Sequence, residues 1–207
     1  MTRIPAAERR AALVEAAIRV VAREGIAHAT TRAIVAEAGM SLASFHYAFD
    51  SRDALIDEVI RTVVAREQQA VVPGPADFGD FAELGHGVGL RDLLEAGLLR
   101  YLDHLRVEPA RELAMLELTL YALRSPERHP LAVMQYARYA ELAAEALEIA
   151  AAASGARWRI PVAEVAHTLV AFTDGLTTTW LVGRDEVAAR RVVAAAADAL
   201  SRMADPA

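Results

Sequence analysis

The chain contains no cysteine, which removes disulfides, thiol nucleophiles and thiolate metal sites from consideration. It contains no lysine either. All 22 basic residues are arginine, so every charged contact to an anion must be made by a planar guanidinium fork. Glycine and proline are sparse, at 11 and 8 of 207 residues, too few for a disordered chain. No run of ~18 apolar residues is free of charge, so no membrane span is expected. The N-terminal MTRIPAAERR is not followed by the apolar stretch of a signal peptide, and a cytoplasmic location is the expectation. There is no nucleophile elbow, P-loop, dinucleotide fingerprint or two-histidine metal motif. Glu112 and Glu117, and likewise Glu141, Glu145 and Glu148, have the spacing of exposed helix faces rather than of a carboxylate–histidine metal bundle. An enzyme is therefore not expected, and no cofactor or metal is called for.

What is present points to helices. Apolar residues make up 55% of the chain, enough for a sizeable core. Alanine, leucine, arginine and glutamate are strong helix formers, and apolar positions recur three and four apart throughout. No strand signal competes, so the expected fold class is all-α. The formal net charge of −6 is unevenly spread. Residues 1–52 carry seven arginines against five acids, or +2, and the remainder fifteen against twenty-three, or −8. A basic head on an acidic body is the pattern of a nucleic-acid module attached to something else.

Breakers set the expected elements. The first helix spans about 7–24, with Leu13, Ala17, Val20 and Val21 as its stripe and Gly25 as its stop. Thr30 caps a short second helix at 31–38 that ends at Gly39, and Ser41 caps a third at 42–48. Asp50 or Ser51 caps a fourth, from 52 to about 71. The stretch 73–89, PGPADFGDFAELGHGVG, reads as a loop with at most one helical turn at 81–84. Five further helices are expected at about 90–107, 110–124, 130–154, 161–182 and 185–204. Pro161 suits a first turn and Asp185 an N-cap. The expected division is thus a DNA-binding domain at 1–52, a connecting helix at 53–72, the loop at 73–89 and a sensing and dimerising domain at 90–207.

The informative stretch is residues 30–60, TTRAIVAEAGMSLASFHYAFDSRDALIDEVI. Two short helices flank a three-residue turn at Gly39, which is helix-turn-helix geometry. Ile34, Val35, Ala38, Met40, Phe45 and Phe49 are expected to pack the pair. With Thr31, Ala36, Ala38-Gly39-Met40-Ser41, Ser44-Phe45-His46-Tyr47, Phe49 and Ser51-Arg52-Asp53-Ala54-Leu55 in this order, the block resembles the DNA-binding signature of the TetR, or tetracycline-repressor-like, family over about residues 8–60. The family's common lysine at the start of the fourth helix is Arg52 here. Its first recognition-helix tyrosine is His46, with Tyr47 next, and a position often held by His or Tyr is Ala48. Thr31 and Arg52 are expected at phosphates, Tyr47 at a phosphate oxygen or a thymine methyl, and Ser41, Leu42, Ser44 and His46 at base edges. Arg32 is expected at a phosphate or a guanine.

The resemblance implies a repressor that binds a palindromic operator in double-stranded DNA. It also implies a homodimer formed through the last two helices and release by a small-molecule effector, expected to be largely apolar. Val165, Leu169, Leu176, Leu181, Val192, Ala196 and Leu200 are the expected dimer-interface residues. The expected pocket lining is Tyr101, His104, Met115, Leu118, Tyr121, Met134, Tyr139, His167, Phe172, Asp174, Thr179 and Trp180. Asp174, on an otherwise apolar helix, anchors either a polar ligand group or a partner-chain group. The competing reading is a helical adaptor or co-regulator with weakened or lost DNA binding.

Overall fold

The computed structural model describes residues 5–70 and 88–205. Nine helices lie among the described residues: α1 (Ala6–Glu24), α2 (Thr31–Glu37), α3 (Leu42–His46), α4 (Arg52–Ala70), α5 (Leu90–Val107), α6 (Pro109–Leu123), α7 (His129–Ser154), α8 (Val162–Gly183) and α9 (Glu186–Ser201). The all-α expectation holds, and each expected helix is present within a few residues of its expected limits. The expected loop at 73–89 lies, apart from Val88 and Gly89, outside the described residues. One feature went unpredicted. Arg157–Trp158 (β1) pairs antiparallel with Ala204–Asp205 (β2), in the register Arg157 to Asp205 and Trp158 to Ala204. Two-residue strands carry no periodicity, so no sequence pattern announces them.

The chain forms two compact units. The first comprises Met1–Arg66 and Ala110–Gln135, the second Glu67–Pro109 and Tyr136–Ala207. This departs from the expected division, which kept 90–207 together. The physical reason is the apolar face of α6. Ala114, Met115, Leu118 and Ala122 are buried in one cluster with Leu13, Val20, Ile34, Phe45, Leu55, Ile56 and Ile60. The N-terminal helices therefore share a core with a segment that sequence order assigned to the sensing domain.

In the second unit, α5, α8 and α9 bury Leu94, Leu102, Leu105, Val165, Leu176, Val193, Ala197 and Leu200 together. Asp185 caps α9, its side chain accepting from the amides of Val187 and Ala188. Arg91 on α5 donates to Asp198 on α9 at 2.6 Å.

Candidate nucleic-acid interface and effector site

The N-terminal helical head is assembled by caps. The Thr30 hydroxyl accepts the Ala33 amide and so starts α2. Gly39 turns the chain at φ +63°, a left-handed conformation that costs most side chains energy. Ser41 then starts α3 by accepting the Ser44 amide, and the Ser51 hydroxyl accepts the Ala54 amide in the first turn of α4. Ile34, Val35, Phe45 and Phe49 are buried, while Ala38 and Met40 pack against them half-buried. That is the inward face expected of these residues.

The outward face is unusually bare of neighbours. Tyr47 is 81% exposed and Leu42 45% exposed. Arg32, Ser41, Ala43 and His46 are also exposed, with Thr31 and Ser44 half-exposed. Seven of the eight expected contact residues thus lie at the surface of α2, α3 and the turn between them. Arg52 is the exception. Its Nε donates to the Ala29 carbonyl at 2.7 Å and its Nη2 to the Ile26 carbonyl at 2.5 Å. The fork expected at a phosphate instead ties the start of α4 to the α1–α2 connection.

Other arginines of the head are similarly engaged. Arg10 on α1 donates to the Ala48 carbonyl at 2.8 Å and to Glu58 at 3.3 Å. Its guanidinium lies 4.1 Å from the Phe49 ring centroid, so one side chain fixes the end of α3 against α1 and α4. Arg19 and Arg23 both donate to Glu37, joining α1 to α2. These bonds, first from Arg19 and then from Arg23, hold the Glu37 carboxyl below its ordinary range.

Two residues beyond the helix-turn-helix also support it. Glu117 on α6 accepts the Ile26 amide at 2.5 Å, so it is not the idle surface acid its spacing suggested. Arg128 donates to Asp53 at 2.8 Å and Asp57 at 2.9 Å, and lies 5.0 Å from the Tyr121 ring centroid. The Tyr121 hydroxyl donates to Asp53 at 2.6 Å. That bond, with the nearby Arg128 charge, holds the Asp53 carboxyl below its usual range. Burial beside this acid pushes the Tyr121 phenol up to about 12. The sequence offered no sign of these roles, because a partner 68 residues away along the chain leaves no local pattern.

The expected pocket residues are dispersed. Met115 and Leu118 are core residues of the first unit, Tyr121 is tied to Asp53, and Met134 is exposed there. In the second unit, Trp180 is buried and donates its indole N–H to Glu186 at 2.9 Å. His104 is half-exposed, His167 and Thr179 are exposed, and Phe172 packs at the edge of the core. The Thr179 hydroxyl bonds back to the Gly175 carbonyl at 2.7 Å, and Tyr101 shares a 2.5 Å bond with Thr177.

The feature of chemical interest is Asp174. It accepts a 2.9 Å bond from the hydroxyl of Tyr136, a residue not foreseen, whose ring lies 5.6 Å from that of Tyr139. The signal for it was the i, i+3 spacing of the two tyrosines, which places both on one helix face. Burial raises the Asp174 carboxyl above its ordinary value, and burial with the adjacent acid pushes the Tyr136 phenol up to about 12.

The expected dimer residues also need correcting. Val165, Leu176, Ala196 and Leu200 are each at most 1% exposed within the single chain. They fill the unit's own core and have no area left to bury. Leu169, Leu181 and Val192 are half-buried at its edge. The face that α8 leaves open instead carries His167, Ala171, Gly175, Thr178 and Val182, with Ala188, Arg191 and Ala195 exposed on α9. No helix long and apolar enough to cross a membrane, and no cluster of metal-ligating side chains, occurs among the described residues.

Comparison with known proteins places these features. Residues 13–59 match the family described as bacterial regulatory proteins, tetR family, and residues 90–205 match the BetI-type transcriptional repressor C-terminal domain. The HTH-type nicotine-responsive transcriptional repressor HdnoR of Paenarthrobacter nicotinovorans is 33% identical over 177 residues, covering 84% of each chain. The multidrug binding protein EbrR, solved with imidazole, superposes with a TM-score of 0.61 at 30% identity, over 91% of this chain and 89% of that one. Its ethidium complex gives 0.62 at 29%, over 91% and 98%. A TetR transcription regulator from Haloarcula marismortui shares the fold at a TM-score of 0.70 and 17% identity, over 96% and 100%.

Proposed function

This chain belongs to the TetR family of bacterial transcriptional regulators, and from that premise we propose that it is a non-catalytic repressor that binds a palindromic operator as a homodimer and leaves it when an effector binds. The observation that carries the reading is the outward face of α2 and α3. A rigidly capped pair of helices presents Leu42 and Tyr47 to solvent, although both have large apolar surfaces. A partner-free surface of that kind fits a DNA groove. Two such heads address half-sites about one turn apart, ~34–36 Å, only if two chains associate. The open faces of α8 and α9 support that association, because Ala171, Gly175, Ala188 and Ala195 on them allow another pair of helices to approach. Selection from random duplex DNA tests the reading. Recovery of an inverted repeat bound by a dimer is expected. A monomer in sedimentation, or indifference to every duplex at low salt, would overturn it.

For the effector, the relatives give the direction: one is named as nicotine-responsive and another was solved with ethidium. Both ligands join an apolar ring system to a nitrogen. Asp174 supplies a half-buried carboxylate without an arginine or lysine partner among the described residues, beside two tyrosine rings. A positive nitrogen there gains both the carboxylate and the aromatic faces. Coupling to the head follows as a population shift between operator-competent and incompetent states, with α4 as the moving element. Ethidium, titrated by its own fluorescence, is expected to bind the wild type and to bind Asp174→Asn at least ~10-fold more weakly, the scale of one lost charge-assisted contact. Equal affinity for both proteins would remove Asp174 from the site.

A further inference from the structure

The chemistry of α3 restricts what this head can read in DNA. Side chains that read base edges by paired hydrogen bonds are Arg or Lys for guanine and Asn or Gln for adenine, while Asp or Glu accepts from the cytosine amine. The helix Leu42–His46, sequence LASFH, contains none of them. Its two nominal hydroxyl readers, Ser41 and Ser44, are engaged with each other. The oxygens lie 3.0 Å apart, and Ser41 also accepts the Ser44 amide at 3.2 Å. Phe45 is buried. What faces outward is Leu42, Ala43, His46 and Tyr47.

Four of the head's seven guanidinium groups are restricted as well. Those of Arg10, Arg19, Arg23 and Arg52 are held by carbonyls or carboxylates of the head itself. Arg9 has a partner within the protein, and Arg32, exposed at the start of α2, has no side-chain bond among the described residues.

From this we infer that the head reads thymine by its methyl group, through Leu42, Ala43 and the Tyr47 ring, and that within α2 and α3 it reads guanine only through Arg32. The inference rests on the operator-binding function proposed above and specifies its chemistry. Each half-site then carries a thymine-rich segment opposite α3 and a single guanine opposite the start of α2. Apolar contact is what distinguishes T·A from A·T in the major groove when no paired hydrogen bond is available, because only thymine carries a C5 methyl. His46 adds at most one hydrogen bond at the end of the helix. It does not restore a two-bond reading of any base.

Replacing thymine by deoxyuridine in the selected operator tests this without altering the protein. The two bases pair alike and differ only by the methyl group. Loss of one buried methyl corresponds to about a fourfold rise in Kd. That rise is expected at each contacted thymine, with an unchanged salt dependence. Leu42→Ala, at an exposed position where the fold does not depend on the side chain, is expected to abolish the thymine–deoxyuridine difference at one position of each half-site. Arg32→Ala is expected to lose preference for guanine at one position by about tenfold, the scale of one paired contact. Deoxyuridine operators that bind as tightly as thymine operators would overturn the inference while leaving operator binding intact. So would selected half-sites with guanine at the positions facing α3. A protein that binds neither duplex at low salt would instead remove the operator-binding premise, and the inference with it.

Discussion

Arg52 stands at the start of α4, and its charge alone suggested a phosphate contact. Its geometry gives another role. A guanidinium donates in two directions from one plane, and here those directions end on the carbonyls of Ala29 and Ile26. Arg52→Ala leaves two partly buried acceptors without donors, a loss of about 1–3 kcal/mol. Arg52→Lys is expected to recover little, because one ammonium cannot reproduce the fork. The check is thermal unfolding. Both variants are expected to melt lower than the wild type. A Tm unchanged in Arg52→Ala would return the residue to the DNA surface. Asp53, its neighbour, makes a pH-dependent contribution. Its carboxyl is held below the ordinary 3.8 by Tyr121 and Arg128. The folded state therefore binds its proton less readily than the unfolded chain, and the stabilisation is fully present above the ordinary value. It is lost as the pH falls from 3.8 through the lower folded value. Asp53→Asn is expected to be about 1 kcal/mol less stable than the wild type at neutral pH, since the side chain is half-exposed and its ion pair partly screened. The deficit should shrink in acid. Denaturant titrations at pH 7 and pH 3 measure both ends, and a deficit independent of pH would count against the ionic account.

Two glycines end helical elements of the reading head, and the difference between them shows what sequence can and cannot convey. Gly25 has φ +83° and Gly39 φ +63°, and both were readable as stops because only glycine adopts that region at little cost. At Gly39 an added methyl group meets nothing within 4 Å, whereas at Gly25 it meets both carboxylate oxygens of Glu117 at 3.0 Å. Gly39→Ala is therefore expected to cost only the left-handed conformation, about 1–2 kcal/mol. Gly25→Ala should cost more, because it also displaces the acceptor of the Ile26 amide. Comparing their Tm values checks this, and an equal loss would show that the Glu117 contact contributes nothing. The caps at Thr30, Ser41, Ser51 and Asp185 and the inward face of α2 and α3 were legible for the same reason as the glycines: each depends on residues within one or two turns. The α8–α9 surface was misread because large apolar side chains were assigned to the dimer face when they were needed in the chain's own core. Small residues such as Ala171 and Gly175, which periodicity treats as neutral, form the open face. The roles of Arg10, Glu117, Arg128 and Tyr136 were not legible because their partners are distant along the chain.

At the scale of the molecule, the surplus of +2 in residues 1–52 and the −8 of the remainder bear on how tightly salt controls DNA binding. Counterion release makes log K fall with log salt concentration by about 0.9 for each phosphate neutralised. A naive count of the head's arginines predicts a steep dependence. Four of them, however, are already neutralised by the protein's own acids or fixed on its carbonyls. Glu37 alone accepts from two, Arg19 and Arg23. Of the other three, Arg9 has a partner within the protein and Arg3 lies outside the described residues, so Arg32 is the exposed phosphate or guanine ligand on the helix pair and a dimer offers few cations to the duplex. The acidic remainder adds a repulsion that salt screens beyond about 10 Å at 0.1 M, which flattens the dependence further. The expected slope for the selected operator is thus between about −2 and −4, far from the roughly −10 of a heavily phosphate-bound repressor. Fluorescence anisotropy from about 50 to 200 mM salt, the range over which phosphate-rich binders lose most affinity, measures it directly. Arg19→Ala provides the complementary check. It frees a Glu37 oxygen instead of removing a phosphate ligand, so it should leave the slope unchanged. A slope near −10, or one reduced by Arg19→Ala, would mean that these guanidinium groups exchange their internal partners for phosphates on binding.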